Sequence, residues 1–212
     1  MIITYTGKEQ CDILFQLVKI GVISGKKVAV FDNSITHDFF QIFANGLDKG
    51  QDLLEIGNLT VFNDYKVKKD ETAFDYIFIY EGLYPRFSGF IDVSIIAPGY
   101  EKNEWKMIKP HVDKCRIERV KTILIMRNRV GKKLSDRYVT TQIGIQPDVF
   151  LRSDFDIKDY ESYVALTHNR DQKFNRAGEL FYIVSTVASE IYKMNEKEVK
   201  KIMSRKEGSK SW

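Results

Sequence analysis

The chain contains only two cysteines, Cys11 and Cys115, and no CxxC pair. Two isolated thiols supply neither a disulfide framework nor a zinc site, so a reducing, cytoplasmic compartment is expected. Proline is limited to four residues, and no uninterrupted apolar run reaches the roughly 18 residues a membrane-spanning helix needs. The N-terminus lacks the basic-then-apolar order of a secretion signal. Histidine occurs only as His37, His111 and His168, without metal-ligand spacing, so satisfied or surface imidazoles are expected and no metal centre. Charge of one sign is also scarce. The formal net charge is +4, and residues 193–212 hold seven Lys or Arg against three Glu, leaving a neutral body and a basic tail.

What is present describes a globular α/β protein. At 212 residues, with 43% hydrophobic and 29% charged, the chain suits one well-buried core and not two. Fourteen Phe and eleven Tyr make that core aromatic. We therefore expect a single domain over residues 1–192 and a basic C-terminal tail over 193–212.

The first thirty-two residues read as strand, turn, helix, strand. Ile2 to Tyr5 is a β-type run and Gly7 marks a turn. Cys11, Leu14, Phe15, Val18 and Val22 recur at helical spacing, with Ile13, Leu17 and Ile20 as a second apolar row. A helix apolar on so much of its surface is packed on two sides. Gly25 closes it, and Val28 to Phe31 runs as a buried strand into Asp32. This is a βαβ unit, whose strands are parallel and whose crossover is right-handed.

Further continuous apolar runs place strands at Leu59–Phe62, Tyr76–Tyr80, Val93–Ala97 and Thr122–Met126, as in a parallel sheet covered on both faces. Helices are expected near residues 36–45 and 103–119, and Ile143 to Gln146 before Pro147 reads as a last edge strand. From Asp156 the pattern turns helical, and Ala177, Leu180, Phe181, Val184, Val187, Ala188, Ile191 and Met194 define one long amphipathic helix. Val199 to Trp212 has too few apolar positions to anchor a helix firmly.

Four stretches taken in order carry a family resemblance. GKKVAVFD ends in Asp32, FDYIFIYEG in the region of Tyr80 and Glu81, VSIIAPG forms the next core strand, and ILIMRNRVGKK carries Asn128 and Arg129. Together they resemble the MinD/ParA family of P-loop ATPases, related to the pilus-localising CpaE/TadZ group. The resemblance implies a three-layer α/β sandwich with a mainly parallel sheet. It also implies a nucleotide site built from the first turn, the end of the FDYIFIYEG strand and Asn128.

The departures fall on that site. A P-loop needs GxxxxGK[ST], whose backbone N–H groups wrap phosphate while the Lys neutralises it and the hydroxyl holds Mg²⁺. The positions expected to hold Gly-Lys-Thr carry Glu9, Gln10 and Cys11, and the turn keeps only Gly7 and Lys8. Glu9 beside Lys8 would repel a triphosphate. The Walker B carboxylate position falls on Tyr80, whose phenol stays protonated at neutral pH, with Glu81 next to it as a substitute. We read the chain as a pseudo-ATPase without a required cofactor, with Gly7, Lys8, Gln10, Cys11, Asp32, Tyr80, Glu81 and Asn128 as the degenerate nucleotide site. Binding of ATP or another nucleotide through Lys8, Asn128 and the start of the first helix is the alternative.

Each singled-out residue also has a plainer reading. Asp32 is a remnant site carboxylate or an ordinary turn and helix cap, the second preferred. Cys11 at a helix start is an activated thiol or simple core packing, again the second. Tyr84, Arg86 and Phe87 are partner contacts or fold back onto the core. Arg127, Arg129, Lys132, Lys133 and Arg137 form a basic cluster that contacts nucleic acid, anionic lipid or an acidic protein, or is a solvated loop. Val199, Ile202 and Met203 could lie on a membrane surface, although a solvated end suits three apolar residues better. The expected partner is a protein, with a homodimer left open because the family dimerises around ATP, and peripheral membrane association follows as a secondary expectation.

Overall fold

The computed structural model describes residues 1–8, 11–44, 52–64, 71–129, 134–154, 156–167 and 178–203. Its centre is an eight-stranded sheet in the order β3-β4-β2-β5-β1-β6-β7-β8. The strands are β1 (Ile2–Gly7), β2 (Val28–Asp32), β3 (Leu53–Ile56), β4 (Leu59–Phe62), β5 (Tyr76–Gly82), β6 (Val93–Ala97), β7 (Lys121–Arg129) and β8 (Val149–Asp154). Every pairing is parallel except that of β3 with β4. The predicted three-layer sandwich and parallel sheet are therefore present. The β3–β4 hairpin turns on Gly57 and Asn58, with Gly57 at φ +59. That two-residue Gly-Asn turn is a hairpin signal which the continuous-run reading of Leu59–Phe62 passed over.

The helices are α1 (Asp12–Ile23), α2 (Asp38–Phe43), α3 (Lys102–Glu118), α4 (Asp136–Ile143), α5 (Ile157–Thr167), α6 (Glu179–Tyr192) and α7 (Glu196–Met203). Alternate residues along each strand feed opposite layers. Ile3 and Tyr5, Val28 and Val30, Phe78 and Tyr80, and Ile123 and Ile125 join the core shared with α1, α6 and α7. On the other face Ile96, Leu124 and Met126 pack with Trp105, Ile108 and Val112 of α3 and Val139 and Ile143 of α4. A third cluster holds Phe31 stacked on Phe62, centroids 4.3 Å apart, with Ile77, Ile79, Phe87 and Ile91.

Helix α1 is buried almost all round, as its double apolar row requires, because α6 covers the side turned away from the sheet. Gly21 permits the close approach. A Cβ there would sit 2.8 Å from the Tyr192 hydroxyl and 3.0 Å from a Val28 methyl. That hydroxyl donates a 2.8 Å hydrogen bond to the Leu17 carbonyl. Gly21→Val is expected to lower the unfolding free energy by about 1–3 kcal/mol through overpacking. Urea denaturation reads it, and an unchanged midpoint would argue that the two helices stand further apart.

Two expectations are corrected at the C-terminal half. Ile143 to Gln146 is not a strand. Ile143 ends α4, Gly144 closes the helix at φ +83, and Ile143 and Ile145 are buried against the α3 layer, so the edge strand is β8, after Pro147. The end is also better anchored than its composition suggests. Val199 and Met203 of α7 are buried in the main core and Ile202 packs against it, which places them on α1 and α6 rather than on a solvated or membrane-facing side. The long helix predicted through Met194 stops at Tyr192, where Lys193 adopts a left-handed conformation at φ 58. Ala177, His168 and residues 204–212 lie outside the described residues.

Candidate functional site

The carboxyl ends of β2, β5, β1, β6 and β7 meet at one edge of the sheet, where ligands bind in open α/β folds. At the end of β1, Gly7 takes φ +144 and lies so close to β6 that a Cβ would overlap the Ala97 carbonyl. The Lys8 amide then donates to that same carbonyl at 3.0 Å. The backbone of the first turn is thus fastened to β6. The Lys8 ammonium stands 3.9 Å from Glu104 of α3. Glu9 and Gln10 lie outside the described residues.

Cys11 is fully buried in front of α1. Burial, with the negative charges of Asp12, Asp38 and Asp32, pushes its thiol pKa well up. Its place in the main core favours packing over the activated-thiol alternative. The next residue, Asp12, makes the strongest contact in the region. Its two carboxylate oxygens accept from Arg127 Nη1 and Nη2 at 2.6 and 2.9 Å, with Asp12 buried and the Arg127 side chain 11% exposed. Burial opposes the Arg127 charge, but the Asp12 charge and hydrogen bonds outweigh it and raise its pKa. Arg127 consequently leaves the predicted basic surface cluster. Of the rest, Arg137 is exposed on α4, the side chains of Asn128 and Arg129 are not among those described, and Lys132 and Lys133 lie outside the described residues.

The position expected to hold a metal carboxylate is filled by an aromatic ring. Tyr80 is fully buried, edge-on to Tyr5 with centroids 5.7 Å apart, and its hydroxyl has no hydrogen-bond partner among the described residues. Burial pushes both phenols' pKa values up, which keeps them neutral. At the following residue the β1–β5 register slips, so that Tyr5 faces Tyr80 while Thr6 faces Gly82. The slip leaves Glu81 as the extra residue of a bulge, which re-aims its side chain. Glu81 Oε1 accepts from the amides of Arg86 and Phe87 at 2.6 and 2.5 Å, and Oε2 lies 3.8 Å from His111 Nδ1, with no hydrogen bond among the described residues. Burial is the largest influence on Glu81 and raises its pKa, against the hydrogen bonds that lower it. As a metal ligand in place of Tyr80, Glu81 would first have to release the loop it holds.

Asp32 is likewise a structural carboxylate. Its Oδ1 accepts from the Ser34 amide and hydroxyl at 3.1 and 2.6 Å, and its Oδ2 accepts from the Phe40 amide at 2.9 Å. The capping reading holds at this residue, while burial raises the carboxyl pKa. Of the loop expected to meet a partner, Phe87 folds into the core whereas Tyr84 and Arg86 remain exposed.

Several functional-looking residues were not singled out from sequence. Asp12 is the clearest: an acid in the first turn of a helix is ordinary, so its distant partner Arg127 leaves no local signal. A second group sits on the opposite face. His111 Nε2 is 2.8 Å from Ser94 Oγ, 3.3 Å from Thr4 Oγ1 and 3.5 Å from Cys115 Sγ. Thr4 donates to Ser94, which frees the Ser94 hydroxyl to donate to Nε2 and puts the ring proton on Nδ1, facing Glu81. Burial, aided by Lys114, lowers the His111 pKa to about 4, so the ring is neutral. Its spacing from Ser94 and Glu81 across two strands and a helix leaves no local sequence signal.

No family model matches this chain, and no curated protein matches it. Solved structures do. MinD cell division protein from Aquifex aeolicus aligns with TM-score 0.54 at 13% identity, over 96% of this chain and 97% of that one. A ParA family ATPase from Chlorobium tepidum TLS aligns with TM-score 0.52 at 11% identity, over 95% and 97%. The MinC:MinD cell division protein complex of Aquifex aeolicus gives TM-score 0.52 at 14% identity, over 100% and 98%. The chain has the MinD/ParA-like P-loop NTPase fold. Among the described residues, no helix is long and apolar enough to cross a membrane.

Proposed function

We propose that this chain is a catalytically inert pseudo-ATPase that serves as a protein-binding or localisation scaffold for a bacterial assembly. The observation that carries the reading is the Asp12–Arg127 ion pair beside the Tyr5–Tyr80 contact. A magnesium triphosphate needs a phosphate-wrapping loop, a hydroxyl and a carboxylate directed at one point. Here the corresponding positions carry a buried thiol, a buried phenol and a carboxylate that holds a loop. The residues present do not fit the group. Support for a protein partner comes from the exposed Tyr84 and Arg86 at the ligand-binding edge, and from the MinC:MinD assembly on the same fold.

One observation favours a second reading, a nucleotide sensor. A pocket of about 220 Å³ remains at the first turn, between Lys8, Tyr100 and Arg127. Calorimetry with ATP, ADP and GTP in the presence of Mg²⁺ separates the two. The scaffold reading expects no saturable heat at millimolar nucleotide. Saturable binding abolished by Lys8→Ala would move the chain to the sensor reading, and phosphate release abolished by Lys8→Ala or Glu81→Gln would overturn inertness. Nucleic-acid or anionic-membrane binding through the basic residues remains a third reading, weakened by the inward pairing of Arg127. It expects a steep loss of binding with salt.

A further inference from the structure

The Asp12 carboxylate is held as a bound anion is held. Its Oδ1 accepts from the Ile13 amide, in the first turn of α1, at 2.9 Å as well as from Arg127. One carboxylate therefore engages a helix start and both terminal nitrogens of a largely buried guanidinium. A helix N-terminus beside a fixed arginine is a construction that binds free carboxylate and phosphate. The same arginine lines the pocket of about 220 Å³ at the first turn, so the guanidinium is reached from solvent through that pocket. Lys8, the second cation of the lining, also faces a carboxylate of the chain, with Glu104 3.9 Å away and its side chain 9% exposed. Asp159, another carboxylate whose charge reaches Arg127, already accepts from the Leu180 amide at 2.9 Å. Each cation of the pocket is thus matched by an acid from within the fold.

We propose that Asp12 is a built-in ligand: its carboxylate occupies a latent oxyanion site formed by Arg127 and the start of α1, and so closes the first-turn pocket to external anions. The proposal rests on the inert reading above and gives its cause, a site filled by the chain itself. A tethered carboxylate acts at high effective concentration, so a free anion of similar affinity does not displace it. The first turn, α1 and β7 are joined without any nucleotide, and the exposed edge beside them keeps one form whatever the nucleotide level. Removing the Asp12 carboxylate frees one guanidinium charge next to the pocket. That single charge sets the class of ligand, a carboxylate or a singly charged phosphate. A triphosphate is excluded even then, because Glu101 and Glu104 remain at the pocket and would repel its further charges.

The test is anion rescue of Asp12→Ala in the full-length chain, read by urea denaturation in acetate, in inorganic phosphate and in chloride at equal ionic strength. The parent and Asp12→Leu/Arg127→Met are the controls. Salts excluded from protein surfaces stabilise all three proteins alike, whereas occupation of the site is confined to Asp12→Ala and saturates. With a dissociation constant on the order of 10 mM, roughly 0.2 M acetate or phosphate raises the folded-to-unfolded ratio of Asp12→Ala about twentyfold. Neither control is expected to show a saturable rise, and adding Lys8→Ala to Asp12→Ala is expected to weaken the rescue. If Asp12→Ala is unfolded in chloride, the same anions are expected to refold it, read by circular dichroism. A variant that responds to acetate and phosphate no more than to chloride would show a salt bridge without a site and overturn the proposal. A saturable rise in the parent would do the same, since its site would then be open. Failed rescue with a parent silent to nucleotide removes the built-in ligand and leaves the scaffold reading intact. Nucleotide hydrolysis by the parent in the assay above removes the scaffold reading instead.

Discussion

Arg127→Ala is expected to destabilise the protein by about 3–5 kcal/mol, because it strands the Asp12 carboxylate in a buried site without its counter-charge. That is a large part of the total stability of about 5–15 kcal/mol usual for a domain. Asp12→Ala strands the guanidinium and is expected to cost a similar amount. The pair itself contributes much less than either loss, since desolvating both groups offsets most of their attraction. The double variant Asp12→Leu/Arg127→Met should therefore recover most of the stability. Chemical denaturation of the four proteins closes a double-mutant cycle. Single-variant losses below about 1 kcal/mol would mean that the pair is solvated and does not seal the first turn.

The second large effect is on pH. His111 is buried and neutral in the folded chain, with its pKa lowered to about 4 from an ordinary 6.5. Between those values the unfolded chain binds a proton that the folded chain does not, so stability rises with pH across the window. The contribution is fully present above pH 6.5 and is lost as pH falls towards 4, by about 3 kcal/mol in all. The groups facing the ring are Glu81 from β5, Ser94 from β6, Thr4 from β1, and Cys115 and Lys114 from its own helix. Glu81 works in the opposite direction at carboxylate pH, since its folded pKa is raised. His111→Gln isolates the imidazole. It should flatten the parent's loss between about pH 6.5 and pH 4, measured by urea denaturation at each pH. Parallel pH profiles for the two proteins would count against a buried neutral ring.

The sheet was legible because parallel strands covered on both faces are continuous apolar runs. Val28–Phe31, Leu59–Phe62, Tyr76–Tyr80, Val93–Ala97 and Thr122–Met126 all fall inside observed strands. Reading failed where tertiary contact outweighed local pattern. Val199 and Met203 look too few to hold a helix, yet two side chains suffice once α1 and α6 offer an apolar surface. At the candidate site the sequence marks Cys11 and Tyr80 as departures from the pattern it resembles, and both side chains are buried. What those positions do instead was not legible. The Asp12–Arg127 pair spans 115 positions in sequence, and the reorientation of Glu81 depends on a register slip that no single strand announces.

The central place of β1 also orders events during synthesis. Residues 2–7 pair on one side with β5 and on the other with β6, and the Ile2 amide is held by Asp92. The first of these neighbours exists only once residues 76–82 have been made, and the second only once 93–97 follow. Helix α1, apolar on nearly every side, waits longer, because the α6 and α7 surfaces that cover it end at Met203. The most hydrophobic helix is therefore made early and sheltered last. Long-range pairing of this kind is slow to form, and an apolar helix left uncovered meanwhile is the segment expected to drive aggregation during synthesis.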